Sequence, residues 1–398
     1  MDAPDGRTKR IILGGALLYC AGGLMFVFTP AYLGNVERLY GISPADLGIL
    51  SAAELWSIAL ASFLGPFWIG RFNWRTLVRF GALSALLGQI ASLFIADYQW
   101  LLVARVATGL FGEGVLLALS YSSLGQTRNV ERSFGLAYGA SIVIGMAGLY
   151  ASPELDRYLG TISVLVILAA AAAAAFAAAP LIPAGPVKTS VQNARQGSQS
   201  AFAMWRSLAA LALVTQAIWY AGVGGFWSFT EQLATYNAVP ASGIAHAMGI
   251  GTAAALLGSF LALILNGRFG RTLPILISTA FIAVAIVAFM ASREVISVTL
   301  ELAIFNIFWA SGTIYMTAAT CASDDSGNIA VLVPAFQVTG MAIGTAILGH
   351  FIDDLGAAVT PWVVGGFFVV ALALLFLFQS RSVRRSNLMV GSQAGGTA

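Results

Sequence analysis

The sequence predicts an all-α membrane protein with twelve transmembrane helices in two six-helix halves. The first observation behind this prediction is composition. Of the 398 residues, 59% are hydrophobic and only 9% are charged, whereas charged residues make up about 25% of an ordinary soluble domain. The second observation is the length of the apolar segments, and the third is an internal repeat. Composition alone excludes a soluble globular protein.

The hydrophobic residues lie in twelve continuous blocks of about 20 residues, which is the length of helix that crosses a bilayer core of about 30 Å. Strands of a membrane barrel need only about 9 to 11 alternating residues, so continuous blocks predict helices. The blocks are 11–33, 46–69, 77–96, 100–122, 134–151, 160–179, 208–230, 243–265, 273–291, 296–320, 329–351 and 360–378.

An internal repeat relates the two halves of the chain. The string SFLGPFWIGRFNWRTLV at 62–78 returns as SFLALILNGRFGRTLPI at 259–275, an offset of 197 residues in a chain of 398. Shorter matches fall at offsets of 195 and 196, among them Pro44 with Pro240. Both copies begin at the end of an even-numbered block and run into the next, odd-numbered one. The halves are therefore expected to have the same orientation, related by an axis along the membrane normal.

The domain organisation follows from the longest polar interruption, which is rich in Pro, Gly, Ser and Gln and is typical of a linker. The expected units are 1–182 as the first six-helix half, 183–206 as a cytoplasmic linker, 207–380 as the second half and 381–398 as a cytoplasmic tail. Lys and Arg concentrate in the loops on the side of the N-terminus, which is the cytoplasmic side by the positive-inside rule. We therefore expect a multi-pass protein of the cytoplasmic membrane with both termini in the cytoplasm.

The repeated loop carries the resemblance to a known family. In the second copy, Gly267-Arg268-Phe269-Gly270-Arg271 resembles the loop between helices two and three of the major facilitator superfamily, and the similarity extends over nearly the whole chain. The resemblance implies a transporter that works by alternating access. Gly70 and Gly267 stand where the family has an acidic residue, so other contacts must hold the gate on that side. The gate residues implied by the motif are Gly65, Arg71, Arg75, Gly267, Arg268, Gly270 and Arg271.

The fourth block supports the resemblance to this family, and the fifth block bears on which branch of the family is expected. Arg105, Gly109, Gly112 and Gly114 resemble the family's helix-four pattern, and glycines at helical spacing allow close helix approach. The fifth block lacks the Gly-Pro of the family's drug and proton antiporters. A multidrug antiporter is thereby less favoured but stays an alternative.

Four ionisable residues stand out deep inside the apolar blocks, where a charge is costly and indicates function. Glu54, Glu113 and Glu301 are the candidates for proton coupling, and Arg105 is a candidate for substrate binding. Depths estimated from about 1.5 Å rise per residue bring Arg105 and Glu54 to nearly the same level. Glu113 lies eight residues beyond Arg105, about 12 Å along a regular helix, so a contact between them is expected to need a bridging water. The alternative is that these charges form internal ion pairs that only fix helix packing.

Aromatic and amide side chains inside the seventh, tenth and eleventh blocks suit a pocket for a small organic ligand. The competing interpretation is that some of the rings face lipid. The substrate-binding candidates besides Arg105 are Gln216, Trp219, Tyr220, Trp227, Asn306 and Gln337.

The function expected from these features is secondary active transport of a small organic solute, with anionic and amphipathic solutes both open, coupled to protons. The open alternatives are a multidrug/proton antiporter and a transporter-like sensor. No nucleotide motif is present, and Cys20 and Cys321 do not indicate a disulfide or a metal pair. An intramembrane serine protease using Ser311 and His350 is disfavoured by their expected separation. We thus expect no enzyme, catalytic residue, cofactor, metal or nucleic acid partner, and a monomer in the bilayer.

Overall fold

The computed structural model describes residues 6–127, 130–160, 162–185, 208–265, 268–323 and 332–394, and within these ranges the regular structure is entirely helical. Twelve long helices follow one another along the chain, with a short helix, Thr230–Tyr236, after the seventh. They are α1 Gly6–Tyr40, α2 Pro44–Trp68, α3 Trp74–Ser92, α4 Tyr98–Leu124, α5 Val130–Leu159, α6 Ser163–Ala178, α7 Leu208–Ser228, α8 Ala241–Leu265, α9 Thr272–Ala291, α10 Val295–Cys321, α11 Val333–Leu355 and α12 Thr360–Ala394.

The predicted all-α class is confirmed, and the predicted blocks agree with the helices. Eleven of the described helices are long and apolar enough to cross a membrane. The remaining one, α3, has 19 residues but is more polar, because it includes Arg75, Arg79 and Gln89. The largest difference from the prediction is at the C-terminus, where α12 continues as helix to Ala394 instead of ending near 378.

Polar side chains fix the starts of the first helices. Ser43 and Asn73 accept hydrogen bonds from the backbone N–H groups of Asp46 and Arg75 at 3.2 and 2.9 Å. Asp97 accepts from the first N–H groups of α4 at 2.9 and 3.1 Å. Such caps satisfy donors that have no partner inside the helix. The turns between the apolar segments are thereby set by the local sequence.

Among the described residues, four helix pairs join the residues before the linker to those after it: α2 with α11, α5 with α8, α1 with α7, and α1 with the short helix. Glycines allow these approaches. A Cβ at Gly48 would lie 2.7 Å from the Thr345 carbonyl oxygen, and one at Gly249 would lie 3.2 Å from that of Met146. We call the side of the molecule where α1 begins the N-terminal side, and the side where α1 ends the Arg38 side.

One turn of α4 departs from α-helical geometry. Residues Thr108–Glu113 form a π-helix between two α-helical segments. A π turn contains one residue more than an α turn, so it changes the face on which all later side chains lie. The turn begins three residues after Arg105 and ends at Glu113, which decides the arrangement of the charged residues described next.

Candidate functional site

Four polar side chains from α2, α3 and α4 form a fully buried cluster, which we call the charge cluster: Glu54, Gln89, Arg105 and Glu113. Each is at most 1% exposed. Arg105 donates from Nε to Glu54 Oε2 at 3.0 Å and from Nη2 to Glu54 Oε1, a bidentate pair. It also donates from Nη1 to Gln89 Oε1 at 2.8 Å, and Gln89 Nε2 donates to Glu113 Oε1 at 2.9 Å. The expected pair between Arg105 and Glu54 is thus present.

The charge cluster is covered by α1 and is not balanced in charge. The ring of Tyr32 lies 5.1 Å from Arg105 Cζ, and Met25 Sδ is 4.0 Å from Nη2. With both carboxylates ionised, the cluster would hold two negative charges and one positive charge. Glu113 Oε2 and the Tyr32 hydroxyl are buried without a hydrogen-bond partner among the described residues. A proton on Glu113 would remove this imbalance.

The expectation that Glu113 would need a water to reach Arg105 is wrong. Glu113 Oε1 lies 3.7 Å from Arg105 Nη2. In a regular α-helix, eight residues turn through about 800° and place the two side chains about 80° apart. The extra residue of the π turn reduces the effective count to seven and brings them within about 20° of one face. The sequence carries no signal for this π turn, so the separation estimated for a regular α-helix was wrong.

A second group of side chains, from α7, α10 and α11, is polar and uncharged. Gln216 Nε2 and Gln337 Nε2 both donate to Thr317 Oγ1, at 3.0 and 3.3 Å. Thr320 donates to Gln216 Oε1 at 3.1 Å. Tyr220 and Thr313 share a hydrogen bond of 2.8 Å. We call this set the polar strip, in which the first three residues are buried and the last three are partly exposed: Gln216, Tyr220, Thr320, Thr313, Thr317 and Gln337.

Tyrosines of α1, α4 and α5 lie beside the polar strip. The hydroxyls of Tyr19, Tyr121 and Tyr138 are electrostatic neighbours of Tyr220 from α7. The rings of Tyr19 and Tyr121 have centroids 5.9 Å apart, and Tyr138 is 42% exposed. Tyrosines from before and after the linker therefore lie within electrostatic range of one another here. Sequence reasoning missed these tyrosines, because a single Tyr in an apolar block is equally typical of packing.

The three remaining binding candidates are packed between or within helices. Trp219 is fully buried and donates to Thr279 of α9 at 3.0 Å. Trp227 is also buried and donates to the Phe26 carbonyl oxygen of α1 at 2.9 Å. Asn306 donates to the Leu302 carbonyl oxygen of its own helix at 2.9 Å. The hydrogen bond of Trp227 joins the two halves.

The third candidate acid lies apart from the charge cluster. Glu301 is near the start of α10, is partly buried, and accepts a hydrogen bond from Ser292 at 2.6 Å. Among the residues that the structure covers, no group of three His, Cys, Asp or Glu side chains is placed to hold a metal ion.

The loop residues expected at the gate are mostly bound within their own half or exposed. Arg75 Nε donates to the Ile182 carbonyl oxygen after α6 at 2.9 Å, and Gly65 is buried within α2. Gly270 has φ of +69°, a conformation that favours glycine. Arg71, Arg268 and Arg271 are exposed. Gly267 lies outside the described residues.

Contacts between the halves close the Arg38 side. Arg38 Nη1 donates to Glu231 Oε1 of the short helix at 2.6 Å. Farther along the interface, the rings of Tyr150 in α5 and His246 in α8 have centroids 4.4 Å apart. Toward the N-terminal side, the phenyl rings of Phe63 and Phe336 approach to 5.9 Å between α2 and α11.

Eleven described helices that could cross a membrane, together with buried charges and a polar interface, are typical of a membrane transporter. The profile of the Major Facilitator Superfamily matches residues 11–333. The chain belongs to this family, as the resemblance of its loops and of α4 predicts.

Known proteins similar to this chain agree with that family. The chain is 29% identical over 130 residues to the "Probable anion transporter 4, chloroplastic" of Oryza sativa subsp. japonica, which is 31% of this chain and 22% of the relative. It is 24% identical over 191 residues to the "Ascorbate transporter, chloroplastic" of Arabidopsis thaliana, 41% and 35% of the two chains. The matched segments thus span about a fifth and a third of these relatives.

Solved structures share the fold over nearly the full length. The nucleoside transporter NupG aligns with a TM-score of 0.71 at 12% identity, covering 94% of this chain and 98% of that one. The xylose transporter XylE from E. coli, in a partially occluded inward open conformation, has the same TM-score and coverage at 14% identity. At these identities the likeness concerns the fold alone.

Proposed function

We propose that this protein is a proton-coupled secondary transporter of a small organic solute, with Glu113 as the residue that carries the proton. The observation that carries the proposal is the charge cluster: two carboxylates and one guanidinium, all at most 1% exposed. An uncompensated charge in such a place costs several kcal/mol. Glu54 is held by the bidentate contact with Arg105, whereas one oxygen of Glu113 has no hydrogen-bond partner among the described residues. Glu113 is therefore the acid that gains most from a proton.

The polar strip is the proposed substrate site, with Gln216, Tyr220 and Gln337 as binding residues. Its groups are neutral donors and acceptors, and several remain half-exposed inside a membrane protein. Amides and hydroxyls that converge from three helices suit a solute rich in hydroxyl or carbonyl groups. Trp219 and Trp227 support this site through packing behind it. The names of the two plant relatives add an organic anion as the first solute class to test.

Arg105 has a conditional part in this scheme. In the observed state its guanidinium is occupied by Glu54 and Gln89. An anionic solute would reach it only if Glu54 released it, so solute and carboxylate compete. Arg105→Lys keeps the charge but loses the planar fork, and it should weaken an anionic solute far more than a neutral one. An Arg105→Lys protein with wild-type affinity and pH dependence would leave Arg105 as a packing residue.

The proposed organisation is two six-helix halves, 1–182 and 207–380, joined by the linker 183–206 and followed by the tail 381–398. The N-terminal side is proposed to be cytoplasmic, because it holds most Lys and Arg residues of the loops. The charge cluster would then lie between the closed Arg38 side and the cytoplasm. A single protomer contains every element of the scheme, so we propose a monomer.

Flux in proteoliposomes tests the proposal. Ascorbate and a set of small organic anions and neutral polyols are the probes, first in a thermal-shift screen and then as labelled solutes. An imposed pH gradient should drive accumulation of the solute that stabilises the protein. Stabilisation without any flux would contradict transport and favour a sensor. Flux of many unrelated amphipathic cations would favour the multidrug antiporter.

A further inference from the structure

The ion pair on the Arg38 side joins two groups that are buried to very different extents. The Glu231 side chain is 10% exposed, whereas that of Arg38 is 44% exposed. The carboxylate has therefore lost most of its water, while its cationic partner is still partly solvated. Attraction to a solvated partner is weak and offsets little of the free-energy cost of burying a carboxylate.

The other charged groups around Glu231 further destabilise its ionised form. Glu37 on α1 and Asp156 on α5 both repel its charge, and Arg38 attracts it. The short helix also packs against α8 and α9. His246 is the one titratable residue of α8 and its ring packs against that of Tyr150, and α9 has none. Burial raises the pKa of Glu231 to about 7, although Arg38 lowers it.

The site is built around the carboxyl group of Glu231. Gly34 lies directly against it, and a Cβ there would overlap both carboxylate oxygens. Asn35, one residue further along α1, accepts a hydrogen bond from Arg38 Nη2 at 2.5 Å. The guanidinium therefore has a partner on its own helix that does not depend on the charge of Glu231. A proton on Glu231 would leave Arg38 bound to Asn35 and would remove the buried charge.

We propose that Glu231 is a second proton-binding site of the transporter, and that proton uptake there favours the closed state of the Arg38 side. The inference rests on the proposed function in one respect, the need for alternating access. When the Arg38 side opens, Glu231 meets water and its pKa should return toward the ordinary value of about 4.3. The closed state thus binds the proton more tightly than the open state. By linkage, a fall in pH through about 7 must favour closure.

This direction is opposite to that of a simple ion-pair lock, in which acid would neutralise the carboxylate and open the gate. The two schemes differ in what they require of the variants. In a simple lock, Glu231→Gln and Arg38→Gln both remove the pair, so both open the Arg38 side. In the proposed scheme, Glu231→Gln imitates the protonated state and closes it, whereas Arg38→Gln opens it at high pH only.

The distance between spin labels at Tyr158 and Trp362 measures opening directly. Both residues are highly exposed, 85% and 81%, at the Arg38-side ends of α5 and α12. The labels are placed in a background with Cys20→Ala and Cys321→Ala, and distances are recorded from pH 5 to pH 9 without solute. The closed-to-open ratio should rise about tenfold per pH unit from 7 toward 5 and stay constant above 8.

The variants decide between the schemes. Glu231→Gln should be closed at all pH values, and Arg38→Gln should close with a midpoint shifted to higher pH. Glu154→Gln, whose exposed partner is Arg157 on the same side, is the matched control and should follow the wild type. Opening on acidification, a wild-type distance independent of pH, or an open Glu231→Gln protein would overturn the inference. Labels that never move in any variant would contradict alternating access as well.

Discussion

The charge cluster and the polar strip occupy opposite halves of a duplicated architecture and differ in chemistry. The first is a fully buried set that contains three ionisable groups, and the second is a set of neutral groups of which Thr313, Thr317 and Gln337 are partly exposed. Ionisable groups are costly to bury and respond to protons, whereas amides and hydroxyls recognise solutes by geometry. In the proposed scheme, one half therefore carries the proton and the other half binds the solute.

The largest expected effect is on stability, from removing the guanidinium. Arg105→Met leaves Glu54 and Glu113 buried without their cation, which should lower the free energy of unfolding by about 3 to 5 kcal/mol. The matched change in the polar strip, Gln216→Leu, removes neutral hydrogen bonds and should cost about 1 to 3 kcal/mol. Unfolding in detergent measures both. Equal losses would break the distinction between the two regions.

The next effect is on coupling. Glu113→Gln should abolish accumulation driven by a pH gradient, which for one proton per solute reaches about tenfold per pH unit, while exchange of solute across the membrane continues. Glu301→Gln is the control, because Glu301 lies apart from the charge cluster with Ser292 as its partner. If Glu113→Gln still accumulates solute in response to a pH gradient, a different acid carries the proton.

A smaller effect is expected from the hydroxyl that two amides share. Thr317→Val removes the acceptor of both Gln216 and Gln337 and should weaken solute affinity about tenfold, or about 1.4 kcal/mol. Thr299→Val, on the same helix, loses only a bond to the backbone of Val295 and should leave affinity unchanged. Isothermal titration with the solute found by the screen measures both. If both variants bind alike, the polar strip is not the solute site.

The smallest effect concerns the repeated loops. Arg75→Ala loses the bond to Ile182 and should lower the free energy of unfolding by about 1 kcal/mol. Arg271→Ala, in the second copy, changes an exposed side chain and should stay within about 0.5 kcal/mol. Thermal unfolding of the two variants compares them. A larger loss from Arg271→Ala would indicate that the second loop, not the first, is the one that braces its half.

The sequence predicts the fold well, because apolar length and the repeat are properties of the chain alone. The pair between Arg105 and Glu54 was also predictable, since two charges at one depth in neighbouring helices have few other partners. Gln89 and Tyr32 were missed, although both contact Arg105. An amide or a phenol in an apolar helix carries no sign of which neighbour it faces. The packing of Trp219 was missed for the same reason.

The π turn gives α4 a way to rotate part of its length without a change in the length of the helix. Because the wide turn holds one residue more than a regular helix needs, it can move along the chain without any change in the length of the helix. If it moved one turn toward Leu124, past Glu113, the acid would rotate by about 100° away from Arg105. Arg105 and its contacts on α2 and α3 would stay in place. A single helix could thus place Glu113 first beside the Arg105 guanidinium and then beside a different neighbour.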